Sequence, residues 1–588
     1  MRLQAILLSI PLVLLWYAAG YRTLQITGFI CKKRSDLLIA TMLGFGITGN
    51  ILTILGFIQQ LSPPVILSVL LLILLSGMTR PYLLLFSLIR IDIRPLRQPY
   101  WIGILVFTGL YSIRALLPPT GIDGLMYHLT VPKLFLEHSG FHAIPWIRHS
   151  DLPMLGEMVF LIGIVFKNPI LCRQIAWITG LFLCGAILLI STAMTGNRRY
   201  VPLSLLLFLS HTVTTANMTL CNVDMLTAAF TLSSFYLLKK SVDNNGSLRK
   251  YLPALLLLCF TVESKPFGIL IIPLAGLYLA VFIYKKGSFR WDIIALAVIA
   301  PVAAGLIWYM KSWYLSGIPI SGITTWKASS AAVAADQAGT IAMLWNKFLF
   351  IAGNFISAPW SYSLAPYVHR MDNFGPLFIG CIPFALFTKR NSWFNHGLLW
   401  ATGIWLFFIA LSTARGFHGN LSIRYMTAAV ALFAIATVYT YAAMNTSHIR
   451  SFIGFCFVFW VAVSFTVSVK RYRNDIRSVV TLQPPHDYLM ENYDLYPVIN
   501  YINSRLPQSC NVKTAFGFGT FYIDRPFTCA HRRFTDPAIM LQTYKNEGVT
   551  HLLANNILRR EDNNYEWLSG TSMKLLYHAN GYYLYELP

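Results

Sequence analysis

The chain repeats one pattern along most of its length. An apolar run of about 18 residues or more, enough to cross a bilayer core as helix, is followed by a short cluster of lysine and arginine. A transmembrane barrel would instead alternate in segments of about ten residues, a pattern not found here. Of the 588 residues, 56% are hydrophobic and 12% charged, with a mean hydropathy of +0.57. A soluble globular chain carries roughly twice that charge, about 25%. The fold class expected is a multi-span α-helical membrane protein. The net charge of +23 does not call for nucleic acid, because much of the Lys and Arg sits between apolar runs, as the positive-inside rule requires. The rest suits a lipid phosphate or an anionic membrane surface.

In chain order, residues 3–20 read as a retained first helix rather than a cleaved leader, because Lys32, Lys33 and Arg34 follow it. Spans are expected at 37–58, 64–78 and 101–117, with Arg80, Arg90, Arg94 and Arg97 inside. Residue 118 onward is then outside. Residues 153–167 begin at Pro153 and contain Glu157, so they read as a helix lying in the interface. Further spans are expected at 173–194, 201–216, 223–238, 251–262, 267–284 and 292–310. An outer region at 311–372 follows, with an interfacial piece at 340–358. Spans at 373–388, 396–413, 425–443 and 451–469 complete a set of about 14. Lys239, Lys240, Arg249, Lys250, Lys389, Arg390 and Arg450 all fall on one side under this orientation.

Composition changes after residue 470. Tyr496–Leu506 reads as a helix, and Val512–Phe516, Phe521–Asp524 and Val549–Leu553 read as strands. Asp536-Pro537 is a helix-start signal. Asn580-Gly581 suits the tight turn of a closing hairpin. A small α/β domain is expected outside the membrane. The nine cysteines show no CxxC spacing. Cys510 and Cys529 lie in this tail, where an oxidising compartment would allow a disulfide.

Ionisable groups beside apolar runs are the first candidates for chemistry. The segment 118–157 carries Asp123, Glu137, Asp151 and Glu157 with His128, His138, His142 and His149. Asp123 follows Pro118, Pro119 and Gly121 at the end of a span, where a carboxylate can act as general base on a hydroxyl. The competing reading is a solvated cap of the helix that follows. Tyr127 shares a helical face with Asp123, and His128 lies beside that face, placed to meet an anion or a hydroxyl. Glu157 sits in an apolar helix and needs a partner, a substrate hydroxyl or a cation. A zinc site is not expected: His138 and His142 form the one i, i+4 pair, and Gly140 interrupts it. Lys265 in ESKP, Arg415, His418 and Arg424 stand where cations can hold a lipid phosphate or anchor to headgroups. Asp224 opens a span and can pair with one of them.

The order of these parts resembles the GT-C superfamily of membrane glycosyltransferases, which includes bacterial protein O-mannosyltransferases and aminoarabinose transferases. The residues that carry the resemblance are DGLMYHLTVPKLFLEHSG with Asp123, LPMLGEM, NVDMLTAAF, ESKPFG, KSWYLSGIP and SIRYMTAAV, closed by the α/β tail. On this resemblance residues 1–100 are additional helices, 101–469 the catalytic membrane unit and 470–588 the outer domain. It implies transfer of a sugar from a polyprenyl-phosphate donor to a hydroxyl acceptor (glycan, lipid or protein) at a bacterial inner membrane's outer face. Asp123 would be the base, configuration would invert, and Lys265, Arg415 or Arg424 would meet the leaving phosphate. No cofactor is expected. Some members carry paired acidic residues in the first loop; here Asp123 is followed by Gly124, which gives no support for a divalent cation. A transporter would place polar groups at mid-span in two related halves, which are not visible. A lipid-linked polysaccharide polymerase or ligase would place its large outer loop late in the chain.

Overall fold

The computed structural model describes residues 1–28, 34–76, 98–317 except 245 and 285–289, 388–414, 423–530 except 518, 537–555 and 572–588, with isolated positions between 349 and 385. The expected interfacial piece at 340–358 and most of the expected span at 373–388 lie outside these residues. Helices α1 (Arg2–Ile26), α2 (Arg34–Phe57), α3 (Pro63–Ser76) and α4 (Pro99–Ala115) come first. After a turn of π-helix at Gly124–His128 come α5 (Thr130–Glu137) and α6 (Leu155–Val165). Next are α7 (Pro169–Thr195), α8 (Val201–Leu209), α9 (Thr212–Asn217), α10 (Asp224–Asp243) and α11 (Leu248–Ser264). Then α12 (Ile271–Tyr284), α13 (Trp291–Ser316), α14 (Ser392–Ala414), α15 (Thr427–Ala443) and α16 (Ser447–Arg471) complete the bundle. Among the described residues seven helices are long and apolar enough to cross a membrane. The chain is a multi-span helical membrane protein. Its outermost helices show lipid-facing apolar surface: Phe455 and Phe459 of α16 are 67% and 63% exposed.

Small residues let the first two helices touch backbone to backbone. A Cβ on Gly20 would fall 1.7 Å from the Ala40 carbonyl oxygen, and one on Gly44 would fall 1.6 Å from that of Trp16. Such close crossings are a common source of helix association where no hydrophobic drive exists. The first helix is thus built into the bundle, with Trp16 and Tyr17 fully buried.

The two rims of the bundle differ in chemistry. At one rim Arg2 donates to the carbonyls of Leu116 and Gln483, and Asn168 Nδ2 donates to the Met1 carbonyl. The ends of α1, α4 and α7 therefore meet the C-terminal tail there. At the other rim Asn391 reaches the Met194 carbonyl, Tyr439 the Lys389 carbonyl, and Arg450 the Tyr200 hydroxyl. The basic clusters of separate loops converge at this second rim, as the alternation of runs and charges predicts.

Two elements of the bundle differ from the sequence reading. The helix at 155–165 does not lie with a wet face in the interface. Its residues Leu155 to Gly163 are all buried, because it packs between α2, α5 and α7. At 11 residues it spans about 16 Å, too short to cross. The span expected at 201–216 is broken at Ser210-His211, where the His211 ring caps α9 by accepting from the Val213 amide.

The C-terminal domain follows α16 through α17 (Arg473–Val480), α18 (Pro485–Asn492) and α19 (Tyr496–Arg505). Its sheet contains β1 (Val512–Thr514), β2 (Phe527–Cys529), β3 (His551–Asn555), β4 (Lys574–Ala579) and β5 (Tyr582–Glu586), in the order β2-β1-β3-β5-β4. Helix α20 (Pro537–Asn546) precedes β3. The closing hairpin turns at Asn580 and Gly581, both at positive φ. The strand expected at 521–524 is a turn instead, and the strand forms at Phe527–Cys529. The carbonyls of Phe521 and Ile523 are taken by Lys133 of the membrane unit, and Tyr522 donates to the Pro119 carbonyl. Cys510 and Cys529 are buried free thiols. Parallel pairing sets Cys529 opposite Thr514, four residues beyond Cys510. That offset is about 13 Å along the strand, past disulfide reach.

Filling the α1–α2 contact tests the packing. Gly44→Leu should destabilise the protein by at least about 1–3 kcal/mol, read as a lowered melting temperature in detergent.

Candidate functional site

Four distant segments end at the rim that carries the C-terminal domain, and their charges meet there. Asp123 immediately precedes the π turn, in which the Leu129 amide reaches back to the Gly124 carbonyl. Such turns recur at functional positions. Asp224 is the first residue of α10, where the helix dipole favours a carboxylate. Lys265 follows α11 and precedes Pro266, so its backbone is extended, at φ −161° and ψ 141°. That break turns the lysine out of the helical path. Arg424 lies in a short 3₁₀ turn, Ile423–Met426, before α15.

Arg424 binds both carboxylates. Its Nη2 is 2.6 Å from Asp123 Oδ2, and its Nε is 3.8 Å from Asp224 Oδ2. Lys265 Nζ donates to Asp224 Oδ1. Tyr425 lies against both cations, with Lys265 Nζ 4.4 Å and the Arg424 guanidinium carbon 5.1 Å from its ring centre. The four charges balance, as buried charges must. Burial grades across the cluster. The side chain of Asp224 is 1% exposed and that of Asp123 32%. Asp123 is therefore its open end.

Among the described residues, two cavities border this cluster. One, of about 40 Å³, is walled by Asp224, Lys265, Arg424 and Tyr425 together with the apolar Ile404 and Phe408 of α14. The other, of about 430 Å³, is walled by Asp123, Gly121, Arg114, Arg173, Asn222 and Arg471, among others. The Asp123–Arg424 ion pair links them, one partner lining each.

The remaining candidates divide. Tyr127 stacks on His149, with ring centres 4.3 Å apart. Burial pushes its phenol well above the usual range and keeps it protonated. His128 and Glu157, expected to meet substrate groups or a cation, face each other. His128 Nδ1 is 2.6 Å from Glu157 Oε1, and both side chains are 2% exposed. The π turn and the burial of α6 from Leu155 to Gly163 aim them inward. Arg415 and His418 lie outside the described residues. Sequence reading missed Tyr425, although it adjoins Arg424. It also missed Arg173, which was placed at a span's edge but stands one turn inside α7. An arginine within an apolar run was the available signal.

The His128–Glu157 pair carries a pH signature. Burial lowers the imidazole well below 6.5 and raises the carboxyl from 4.5 to about 8. Between 4.5 and 6.5 the folded pair and the unfolded pair hold the same number of protons. Above 6.5 the unfolded chain has released a proton that the folded pair keeps up to about 8. Stability should therefore fall as pH rises through that window, by up to about 1.4 kcal/mol per unit. Melting curves in detergent from pH 6.5 to 8 should show this slope, and Glu157→Gln should remove it.

No protein-family model matches the chain, and no curated protein is detectably similar to it. Solved structures are similar in fold. ArnT from Cupriavidus metallidurans in the apo state superposes with a TM-score of 0.51 at 12% identity, covering 83% of this chain and 96% of the other. The same protein bound to undecaprenyl phosphate gives a TM-score of 0.50 at 15% identity, covering 83% and 97%. ArnT is an aminoarabinose transferase of the GT-C type. The alignments cover most of both chains, and the chain shares the multi-span fold of this solved structure.

Proposed function

We propose that the protein transfers a sugar from a polyprenyl-phosphate donor to a hydroxyl acceptor, with inversion at the anomeric carbon. The observation that carries this reading is the charge cluster itself. Asp123, its open end, faces the cavity that holds Arg114, Arg173 and Arg471, while Lys265 and Arg424 line one that also has Ile404 and Phe408 in its wall. A phosphate on a lipid needs cations beside an apolar path; a general base needs an accessible carboxylate.

In this reading Arg424 fixes the Asp123 carboxylate, which removes the proton from the acceptor hydroxyl. The acceptor oxygen bonds to the anomeric carbon as the bond from that carbon to the phosphate oxygen breaks. Polyprenyl phosphate leaves as an anion, and Lys265 and Arg424 offset its charge. Arg415 and His418 remain candidates for the same phosphate. Tyr127 orients the loop around Asp123. His128 and Glu157 act through that loop as positioning residues. Asp224 holds Lys265 and Arg424 in register. We assign residues 1–100 as additional helices, 101–469 as the catalytic membrane unit and 470–588 as the outer domain.

A divalent cation is not part of the proposal. Asp123 and Asp224 are the carboxylates of the cluster, and both are engaged by Arg424, Asp224 also by Lys265. The reading places the site at the outer face of a bacterial inner membrane. Its support is that the basic clusters converge at the opposite rim. A nucleotide-sugar donor is confined to the cytosol, so an outward site needs a lipid-borne one.

The test is transfer from a radiolabelled polyprenyl-phosphate sugar to endogenous acceptors in membranes containing the full chain. Asp123→Asn should lower the rate by roughly 10²–10⁴, and equal rates for the variant and the wild type would overturn the assignment. Added EDTA should leave the wild-type rate unchanged.

A further inference from the structure

The larger cavity has a composition that transfer to a neutral hydroxyl does not explain. Its wall holds three arginines and one carboxylate, Asp123. Asp123 is already paired with Arg424. Arg114 is paired with Asp475, its Nε 3.2 Å from the carboxylate. Among the described residues the other two arginines have no acidic partner. Arg173 is 1% exposed. Its Nε donates to the Thr219 carbonyl and its Nη1 to those of Leu117 and Pro118. Neutral carbonyls orient this guanidinium without neutralising it. Arg471, at the end of α16, is exposed and lies over the Tyr472 ring.

Polar atoms in the same wall are also unsatisfied. Thr219 Oγ1 and Asn222 Oδ1 are buried and have no hydrogen-bond partner among the described residues, and the residues are 0% and 3% exposed. Leaving such atoms unpaired costs on the order of 1–3 kcal/mol each. The cavity's volume, about 430 Å³, falls in the range of small-ligand sites, roughly 300–1,000 Å³.

We propose that this cavity is the acceptor subsite of the transfer reaction and that the acceptor is anionic, its phosphate or carboxylate held by Arg173 and Arg471. Thr219 and Asn222 hydrogen-bond the neighbouring hydroxyls, and the hydroxyl to be glycosylated points at Asp123. The inference rests on the proposed transferase activity for the identity of the ligand, but not for the existence of the site. It also gives the junction with the C-terminal domain a role in substrate choice, because Arg471 stands at that junction.

Binding and transfer are separable measurements. Isothermal titration of the full chain in neutral detergent, with glycerol 3-phosphate, glucuronate, glycerol and glucose as probes, reads the site directly. At least one of the two anions should bind, and which one does identifies the oxyanion; the neutral probes should bind at least tenfold more weakly. Arg471→Gln and Thr219→Val should each weaken anion binding by roughly 10- to 100-fold, while Lys265→Met should leave it in place. Arg173 is not a useful test position, since it also ties down the loop at 117–118. Absence of anion binding, equal binding of neutral probes, or binding lost in Lys265→Met but kept in Arg471→Gln would each overturn the proposal. Anion binding with the expected pattern, in a protein whose transfer does not depend on Asp123, would overturn the transferase reading and leave the anion site standing.

Discussion

Arg424 is the cation on which the arrangement turns. It reaches two carboxylates from different parts of the chain, Asp123 and Asp224, and one of them is also held by Lys265. Asp224 and Lys265 are buried, and charges at that depth are not tolerable alone. Each of the four groups therefore fixes the others, and with them the ends of α4, α10, α11 and α15. The cost of burying charge is what converts four loose chain ends into one surface of defined geometry.

The rest of the rim supports that surface. Lys133 binds two carbonyls of the C-terminal domain, Tyr522 of that domain binds the Pro119 carbonyl, and Arg2 ties the first helix to the tail. The loop holding Asp123 is thus clamped from three sides. Below it the buried His128–Glu157 pair joins the π turn to α6. Polar groups that satisfy one another at depth specify a single packing more tightly than apolar contacts would, since any slip leaves one of them orphaned. The larger cavity lies beside these clamps, with Pro119 and, at the junction with that domain, Arg471 in its wall.

Much of this was legible in the residues. Apolar runs of bilayer length forced helices, and basic clusters between them fixed which ends share a rim. Asp123, Asp224, Lys265 and Arg424 stood out because ionisable groups beside apolar runs are costly, and the structure brings all four together. The hairpin at Asn580-Gly581 followed from its turn chemistry. Other features were not legible for stated reasons. The strand expected at 521–524 became a turn because its carbonyls serve Lys133, a partner 388 residues away. Helix α6 was misplaced because apolar composition cannot tell a lipid-facing helix from one buried in protein. His128 and Glu157 were expected to meet substrate groups or a cation, yet a π turn and a neighbouring helix set them on each other.

By itself the sequence determined the spanning class, the orientation of successive helices and the identity of the charges at one rim, because these follow from local hydropathy and from the cost of charge in lipid. Only the tertiary structure decided which charges pair, which carboxylate stays open and which arginines are held by carbonyls instead of an acid among the described residues. Those outcomes depend on distances between segments tens to hundreds of residues apart. No periodicity along a chain encodes such distances; packing alone fixes them.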